Sequence, residues 1–275
     1  MPQSKALYFV AFALTLLSIF ACKPSPYTSS SGFRHETISY RGYGFDVVTI
    51  DLKQTDLDLF WKDINGNPYR NFEALKLNLQ KEGDELLFAT NAGIYSDNFT
   101  PGGLHIENWA PQSPINFREG EGNFHLLPNG IFYLGKEGAG VVESHQFLED
   151  KIQAKIASQS GPMLVINGEL HSSFKHDSEN RHIRNGVGVN QKGEIVFVLS
   201  RNVVSFYQFA RLFRDKLDCN NALYLDGTIS RFYLPEKGLT DTSGDFVGIF
   251  GVVKRNPNRK PVHREPGSQP GSPEL

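Results

Sequence analysis

Residues 222–233 read Ala-Leu-Tyr-Leu-Asp-Gly-Thr-Ile-Ser-Arg-Phe-Tyr: buried-strand character first, then an acid, a glycine and hydroxyls among apolar neighbours. Asp-Gly before a hydroxyl residue is turn chemistry, since Gly accepts positive φ and Asp bonds the amides that follow it. A strand therefore leaves the core here and carries Asp226 at its end. A carboxylate held by a glycine turn at a strand end is placed for acid, base or metal work. Taken alone the stretch is a turn, and the rest of the chain decides whether it is more.

Outward from it, strand signals dominate. Alternating or β-branched and aromatic runs bounded by Gly, Asn and Pro predict strands at 36–40, 44–52, 57–61, 85–90, 103–107, 123–127 and 131–134. The same signals recur at 162–166, 186–190, 195–200, 222–225 and 246–253. Asn129-Gly130, Asn167-Gly168 and Lys192-Gly193 fall where hairpins need turns. Helical spacing is clear for Phe72, Leu75 and Leu79 after Asn71, and for Phe206, Phe209, Ala210, Phe213 and Leu217 after Ser205. A weaker third helix is expected around 145–154. Strands that outnumber helices without regular alternation give an α+β fold: a single domain, a strand-rich mixed sheet with two or three helices. No Gly-x-Gly-x-x-Gly or Walker-type loop is present, which argues against a doubly wound nucleotide fold.

A chain of 275 residues, 39% hydrophobic and with a formal net charge of -2, can bury a substantial core. No basic run forms a phosphate-backbone patch, so nucleic acid is set aside as a partner. Residues 1–21 stand apart from the fold. A short polar start with Lys5 and a nearly unbroken apolar run over 6–21 read as a secretory signal peptide, too short to span a bilayer comfortably. Ile19-Phe20-Ala21-Cys22 resembles the bacterial lipoprotein box, which makes Cys22 the expected lipidation site and the membrane anchor. Residues 22–32 then form a flexible tether, 33–254 the folded domain and 255–275 a tail rich in Pro, Gly and Ser. The expected location is the bacterial cell envelope, on the periplasmic side or at the outer membrane. With Cys22 lipidated, Cys219 is the remaining thiol and no intramolecular disulfide forms; Cys219 itself is expected at a helix end with no chemical role.

Three further segments carry unusual residues. Thr-Asn-Ala-Gly-Ile-Tyr at 90–95 ends a strand in Asn91, an amide with donors and an acceptor, and in small residues such as Gly93 that permit close backbone approach. Ser-Gln-Ser-Gly-Pro at 158–162 places Ser160 and Gly161 at a corner whose amides and hydroxyls suit an anion. Arg-His-Ile-Arg-Asn-Gly at 181–186 sets Arg184 and Asn185 before a glycine-containing strand, where a guanidinium fork can grip a phosphate. Each segment alone is also an ordinary turn or surface charge. His171, His176 and His182 lack a tight ligand spacing, so no zinc site is expected among them.

Taken together and in this order, the four segments resemble one family. Asn91-Ala92-Gly93-Ile94-Tyr95, the Ser160-Gly161-Pro162 corner, Arg184-Asn185-Gly186-Val187-Gly188 and Asp226-Gly227-Thr228-Ile229-Ser230 are similar to the motifs of the phosphodiester glycosidases over about residues 85–253. Thr228 departs from the pattern, which often has a second glycine there. The resemblance implies an exported hydrolase acting at the anomeric C–O bond of a sugar-1-phosphodiester, with a phosphorylated glycan as its partner. Phosphate is a ready leaving group, so such a site needs anion stabilisation and a base or nucleophile more than a general acid. The implied roles give Arg184 the phosphate, Asp226 the base or nucleophile and Glu107 a second carboxylate, with Asn91, Ser160, Thr228 and Ser230 orienting substrate oxygens. Gly93, Gly161, Asn185 and Gly227 complete the substrate-binding motifs. No cofactor is specified, although a divalent cation near Asp226 is compatible with the sequence, and nothing sets the oligomeric state. A non-catalytic lipoprotein that binds envelope glycans with the same cleft is the alternative.

Overall fold

The structure, a computed structural model, describes residues 32–96, 98–227 and 229–258. Cys22 and Thr228 lie outside these residues. The chain opens with a hairpin, β1 (Phe33–Tyr40) and β2 (Tyr43–Ile50), then β3 (Asp58–Phe60), α1 (Phe72–Lys81) and β4 (Glu85–Asn91). There follow β5 (His105–Glu107), β6 (Ala110–Ser113), a 3-10 turn at Asn123–His125, β7 (Gly130–Gly135), β8 (Gly138–Glu143), α2 (Ser144–Glu149) and β9 (Ile156–Ser160). The last part runs β10 (Met163–Ile166), β11 (Glu169–Leu170), β12 (Asn185–Asn190), β13 (Ile195–Ser200), α3 (Phe206–Asp215) and β14 (Cys219–Tyr224). It closes with β15 (Phe232–Tyr233) and β16 (Ile249–Lys254). None of the described helices is long and apolar enough to cross a membrane.

These strands form a large sheet, β1-β2-β13-β12-β14-β10-β11, a second sheet, β15-β4-β16-β3, and a third, β6-β5-β9-β7-β8. All pairings are antiparallel. The large sheet is covered on both faces, so its strands read as near-continuous apolar runs: in β13, Ile195 and Phe197 face the central core while Val196 and Val198 face α3. The three sheets meet at a cluster of phenylalanines. Phe197 of the large sheet lies 5.7 Å from Phe88 and 5.4 Å from Phe250 of the second, and 6.0 Å from Phe132 of the third. Aromatic rings bury much area in fixed geometries, so this cluster sets how the sheets lie against one another.

The helices follow their sequence signals. Asn71 Oδ1 accepts from Ala74 N at 2.8 Å to start α1, and Ser205 with Gln208 forms a reciprocal capping box on α3. Several segments differ from expectation, among them the unforeseen strands β6, β8, β11 and β15. Residues 123–127 make a 3-10 turn and no strand: only Phe124 needs burial, Gly122 enters with φ +88°, and Leu127 stays 62% exposed. Gln159 and Ser160, expected in a turn, end β9, all of whose residues are buried. Cys219 opens β14 and does not end a helix; burial pushes its thiol up to about 12, so it is chemically silent at neutral pH. Arg255, placed in the tail from sequence, bonds Asp58 at 2.6 Å and Asp84 at 2.9 Å and ties the end of β16 to its neighbours.

Phe197→Ala should destabilise the protein by about 3–5 kcal/mol in urea unfolding, because a cavity would open where the sheets meet; a loss below about 1 kcal/mol would contradict this packing. Arg34 donates to Glu194 at 2.7 Å and holds its carboxyl at about 2, below its ordinary 4.5. A depressed folded-state value stabilises above the unfolded pKa, and that contribution fades as pH falls from about 4.5 toward 2. Arg34→Gln should therefore lower the urea midpoint at pH 7 and leave it nearly unchanged near pH 2.

Candidate active site

Four strand ends converge where the sheets meet: the C-terminal ends of β4, β9 and β14 and the start of β12. At their centre is the Asn185 side chain, fully buried. Its Nδ2 lies 3.0 Å from Asn91 Oδ1, 3.1 Å from Asn91 O and 3.1 Å from Thr90 Oγ1. Its Oδ1 accepts from Asp226 N at 3.1 Å and stands 3.0 Å from Ser230 Oγ. Asn91 completes the loop: Nδ2 donates to Asp226 O at 3.3 Å, and Oδ1 accepts from Arg231 N at 3.1 Å. The Ser230 hydroxyl has one proton, and the shorter contact, 2.6 Å to Asp226 O, takes it. From β9, Ser160 Oγ donates to Leu225 O at 2.7 Å. The backbone from Leu225 to Arg231 is thus held at both ends by side chains of three other strands.

This arrangement brings together Asn91, Ser160, Asn185, Asp226, Gly227 and Ser230, as the sequence anticipated. It gives the asparagines and serines a different task from the one expected. Asn91, Ser160, Asn185 and Ser230 are buried and their polar atoms bond protein groups, so in this structure they hold the turn. Gly93 and Gly161 serve tight packing of the chain on itself: a Cβ at Gly93 would lie 2.4 Å from Gln159 O, and one at Gly161 2.8 Å from Phe124 O. Asp226 and Gly227 are partly exposed.

Arg184 is not where the phosphate role needs it. Successive side chains on a strand point to opposite faces, so with Asn185 facing Asn91, Arg184 faces α3. It is 1% exposed, donates from Nε to Val204 O at 2.9 Å and from one terminal nitrogen to Asn180 Oδ1 at 3.1 Å, and stacks 3.7 Å over the Phe206 ring. It also bonds the Tyr224 hydroxyl, which accepts from Gly227 N–H. A Cβ at Gly227 would lie 2.0 Å from that hydroxyl. Arg184 therefore reaches the Asp226 turn from below, through Tyr224. Burial raises the Tyr224 phenol to about 12, with the Asp226 charge adding and Arg184 opposing.

Glu107 sits outside this network. Its Oε1 is 2.8 Å from Nε2 of the buried His105, whose ring packs edge-on against Trp61 at 5.8 Å. A Cβ at Gly248 would lie 3.3 Å from that imidazole, and Gly248 O accepts from Ala92 N at 2.8 Å, so the His105–Glu107 pair flanks the exit of β4. Among the described residues no group of three His, Cys, Asp or Glu side chains could hold a metal ion.

Residues 84–246 match the phosphodiester glycosidase family, which spans more than half of the chain. The chain belongs to the phosphodiester glycosidase family. It is 33% identical over 246 residues to the uncharacterized protein YigE of Escherichia coli (strain K12), covering 90% of this chain and 92% of that one. Its fold is similar to the zebrafish N-acetylglucosamine-1-phosphodiester alpha-N-acetylglucosaminidase catalytic domain, auto-inhibited by its pro-peptide: TM-score 0.55, 14% identity, 81% of this chain and 82% of that one. A hypothetical protein from Synechocystis is similar at TM-score 0.51 and 15% identity, covering 81% of this chain and 62% of that one. In this member of the phosphodiester glycosidases the outer wall of the Asp226 turn is built by Tyr95, which closes the 91–95 motif, by Arg231, and by Arg70 and Asp245 from outside the motifs. Tyr95 donates to Asp245 O at 2.5 Å, Arg70 pairs with Asp245 at 2.6 Å and lies 3.9 Å over the Phe99 ring, and Arg231 donates to Ser243 O at 3.0 Å. Burial and the charges of Asp226 and Asp245 raise the Tyr95 phenol. Arg70 and Arg231 are the cations that remain partly exposed beside the turn. Arg231 was visible within the motif stretch, whereas Arg70 has no local signal.

Asn185→Ala should cost about 2–5 kcal/mol, because it leaves the Asp226 N–H without its acceptor and removes the donor to Thr90 Oγ1 and Asn91 O, at about 1–3 kcal/mol for each buried group stranded. Urea unfolding checks it, and a change under about 0.5 kcal/mol would show that the network does not hold the turn.

Proposed function

We propose that the protein hydrolyses the glycosidic C–O bond of a sugar-1-phosphodiester, with Asp226 as base or nucleophile. The observation that carries this is the number of buried side chains, from three other strands, devoted to fixing one partly exposed Asp-Gly turn in a member of this family. Such pre-organisation places a carboxylate against an anomeric carbon without reorganisation during reaction. Arg231 and Arg70, paired with Asp241 and Asp245, offer guanidinium donors on the same side, where the phosphodiester would lie, and Arg184 acts indirectly by fixing Gly227 through Tyr224. Glu107, hydrogen-bonded to His105, is the second carboxylate and serves the leaving or entering oxygen. A divalent cation beside Asp226 would add positive charge to the phosphate; Asn185 Oδ1, Asn91 Oδ1 and Ser160 Oγ already accept from backbone N–H groups. The expected substrate is an envelope or extracellular glycan, reached through export on the 1–21 signal segment and a lipid on Cys22, in keeping with the similarity to a putative exported protein from Burkholderia pseudomallei (TM-score 0.51, 11% identity, 76% of this chain and 74% of that one).

Hydrolysis of a sugar-1-phosphodiester panel in 18O-labelled water should place the label in the sugar; label in the phosphate would overturn C–O cleavage. Asp226→Asn should lower kcat on the order of 10³-fold or more while leaving the melting temperature nearly unchanged. Cys22→Ala should move the protein from the membrane fraction to the soluble fraction of the exporting cell, and retention in the membrane would contradict the lipid anchor.

A further inference from the structure

A cleft of about 480 Å³ lies between the β1–β2 turn, the first turns of α3 and the loop 176–181. This is the far side of the large sheet from Asn91, on the face that Arg184 occupies. Its walls are tyrosines held in place by the fold. Tyr40 and Tyr43 are directly opposed across a two-residue hairpin whose Arg41 and Gly42 both have positive φ, so the two residues lie on the same side of the ribbon. The third, Tyr207, comes from α3 and meets the His176 ring edge-on at 5.2 Å. Each of the first pair is pinned at its hydroxyl: Tyr40 donates to Asp215 at 2.8 Å, and Tyr43 accepts from Gln208 at 2.8 Å.

The polar groups on the rim are of both signs. Arg41 and Arg181 donate to the Tyr40 and Tyr43 hydroxyls, at 3.1 and 3.2 Å, and among the described residues neither has a carboxylate within ion-pair distance. Asp177 and Glu179 stand on the same rim and are exposed. Arg211 pairs with Asp215, which it shares with Arg214. Two guanidinium groups facing two carboxylates give no net charge to attract a lone anion, and a wholly apolar ligand would desolvate all four without giving them partners. Vicinal hydroxyls both donate and accept, matching forks and carboxylates together, and the C–H face of a sugar ring fits the negative face of a tyrosine. A volume of this size is typical of small-ligand clefts, and rigid aromatic walls lose little entropy on binding.

We propose that this cleft is a saccharide-binding site, separate from Asp226, that holds a neutral stretch of glycan between Tyr40, Tyr43 and Tyr207. It stands apart from the hydrolytic reading and does not require it. The test is 19F NMR of the full chain carrying fluorotyrosine, with resonances assigned by Tyr→Phe variants and titrated with maltotriose and chitotriose. At least one probe should shift the Tyr40, Tyr43 and Tyr207 signals saturably, with Kd on the order of 1 mM or tighter. Tyr207→Ala and Arg181→Gln, both at partly or fully exposed side chains, should weaken that binding about tenfold or more at unchanged melting temperature, and Asp226→Asn should leave it intact. Absence of any shift up to about 10 mM of both probes, or binding lost in Asp226→Asn and kept in Arg181→Gln, would overturn the proposal.

Discussion

The Asn185 amide is the constraint on which the site depends. It lies on the first residue of β12, in the large sheet, yet it bonds the end of β4 in the second sheet and the turn that follows β14. A carboxamide suits this position because it donates and accepts on one planar group. A carboxylate would lose the donors to Asn91, and an apolar side chain would leave buried groups on every side without partners. In a low-dielectric interior such a network is strong only when every member is satisfied, and here each amide and hydroxyl finds a partner. The geometry of the Asp226 turn is therefore inherited from packing between sheets and not from the turn alone.

A second consequence is the division of labour across the large sheet. On one face, the asparagines and serines fix the backbone that carries Asp226. On the other, Arg184 lies buried against Phe206 and Tyr224 and braces Gly227. Burial lowers the guanidinium pKa from its ordinary value, yet Arg remains charged at neutral pH, and its cost is offset by carbonyl acceptors and two aromatic faces. Lysine would keep the charge and lose both the fork and the stacking. The turn is clamped from two sides, which fixes the backbone that carries the partly exposed Asp226 carboxylate.

Much of this was legible in the sequence, and the failures have physical causes. Strands with apolar runs, the two capped helices and the four segments around Asp226 announced themselves through periodicity, caps and turn residues. The motif segments meet in space, but which way each side chain faces was not legible, because residue type does not say whether a side chain points at solvent or at another strand. Arg184 shows this most clearly: one residue of register puts Asn185 on the site face and Arg184 on the reverse. The strand at β9 escaped notice because Ser158, Gln159 and Ser160 are polar, and their burial depends on partners far away in sequence, among them Gly93, Asn116 and Leu225. Arg70 was invisible for the same reason, since it reaches the wall of the site only through Asp245.

A crystal structure with a non-hydrolysable sugar-1-phosphonate diester would test the central claim most directly. The account predicts the anomeric carbon against the Asp226 carboxylate and the phosphonate beside Arg231 or Arg70, with Asn91, Asn185 and Ser160 keeping their protein partners. An analogue bound away from Asp226, or one that takes the Asn185 amide from Asn91 and the turn, would contradict it.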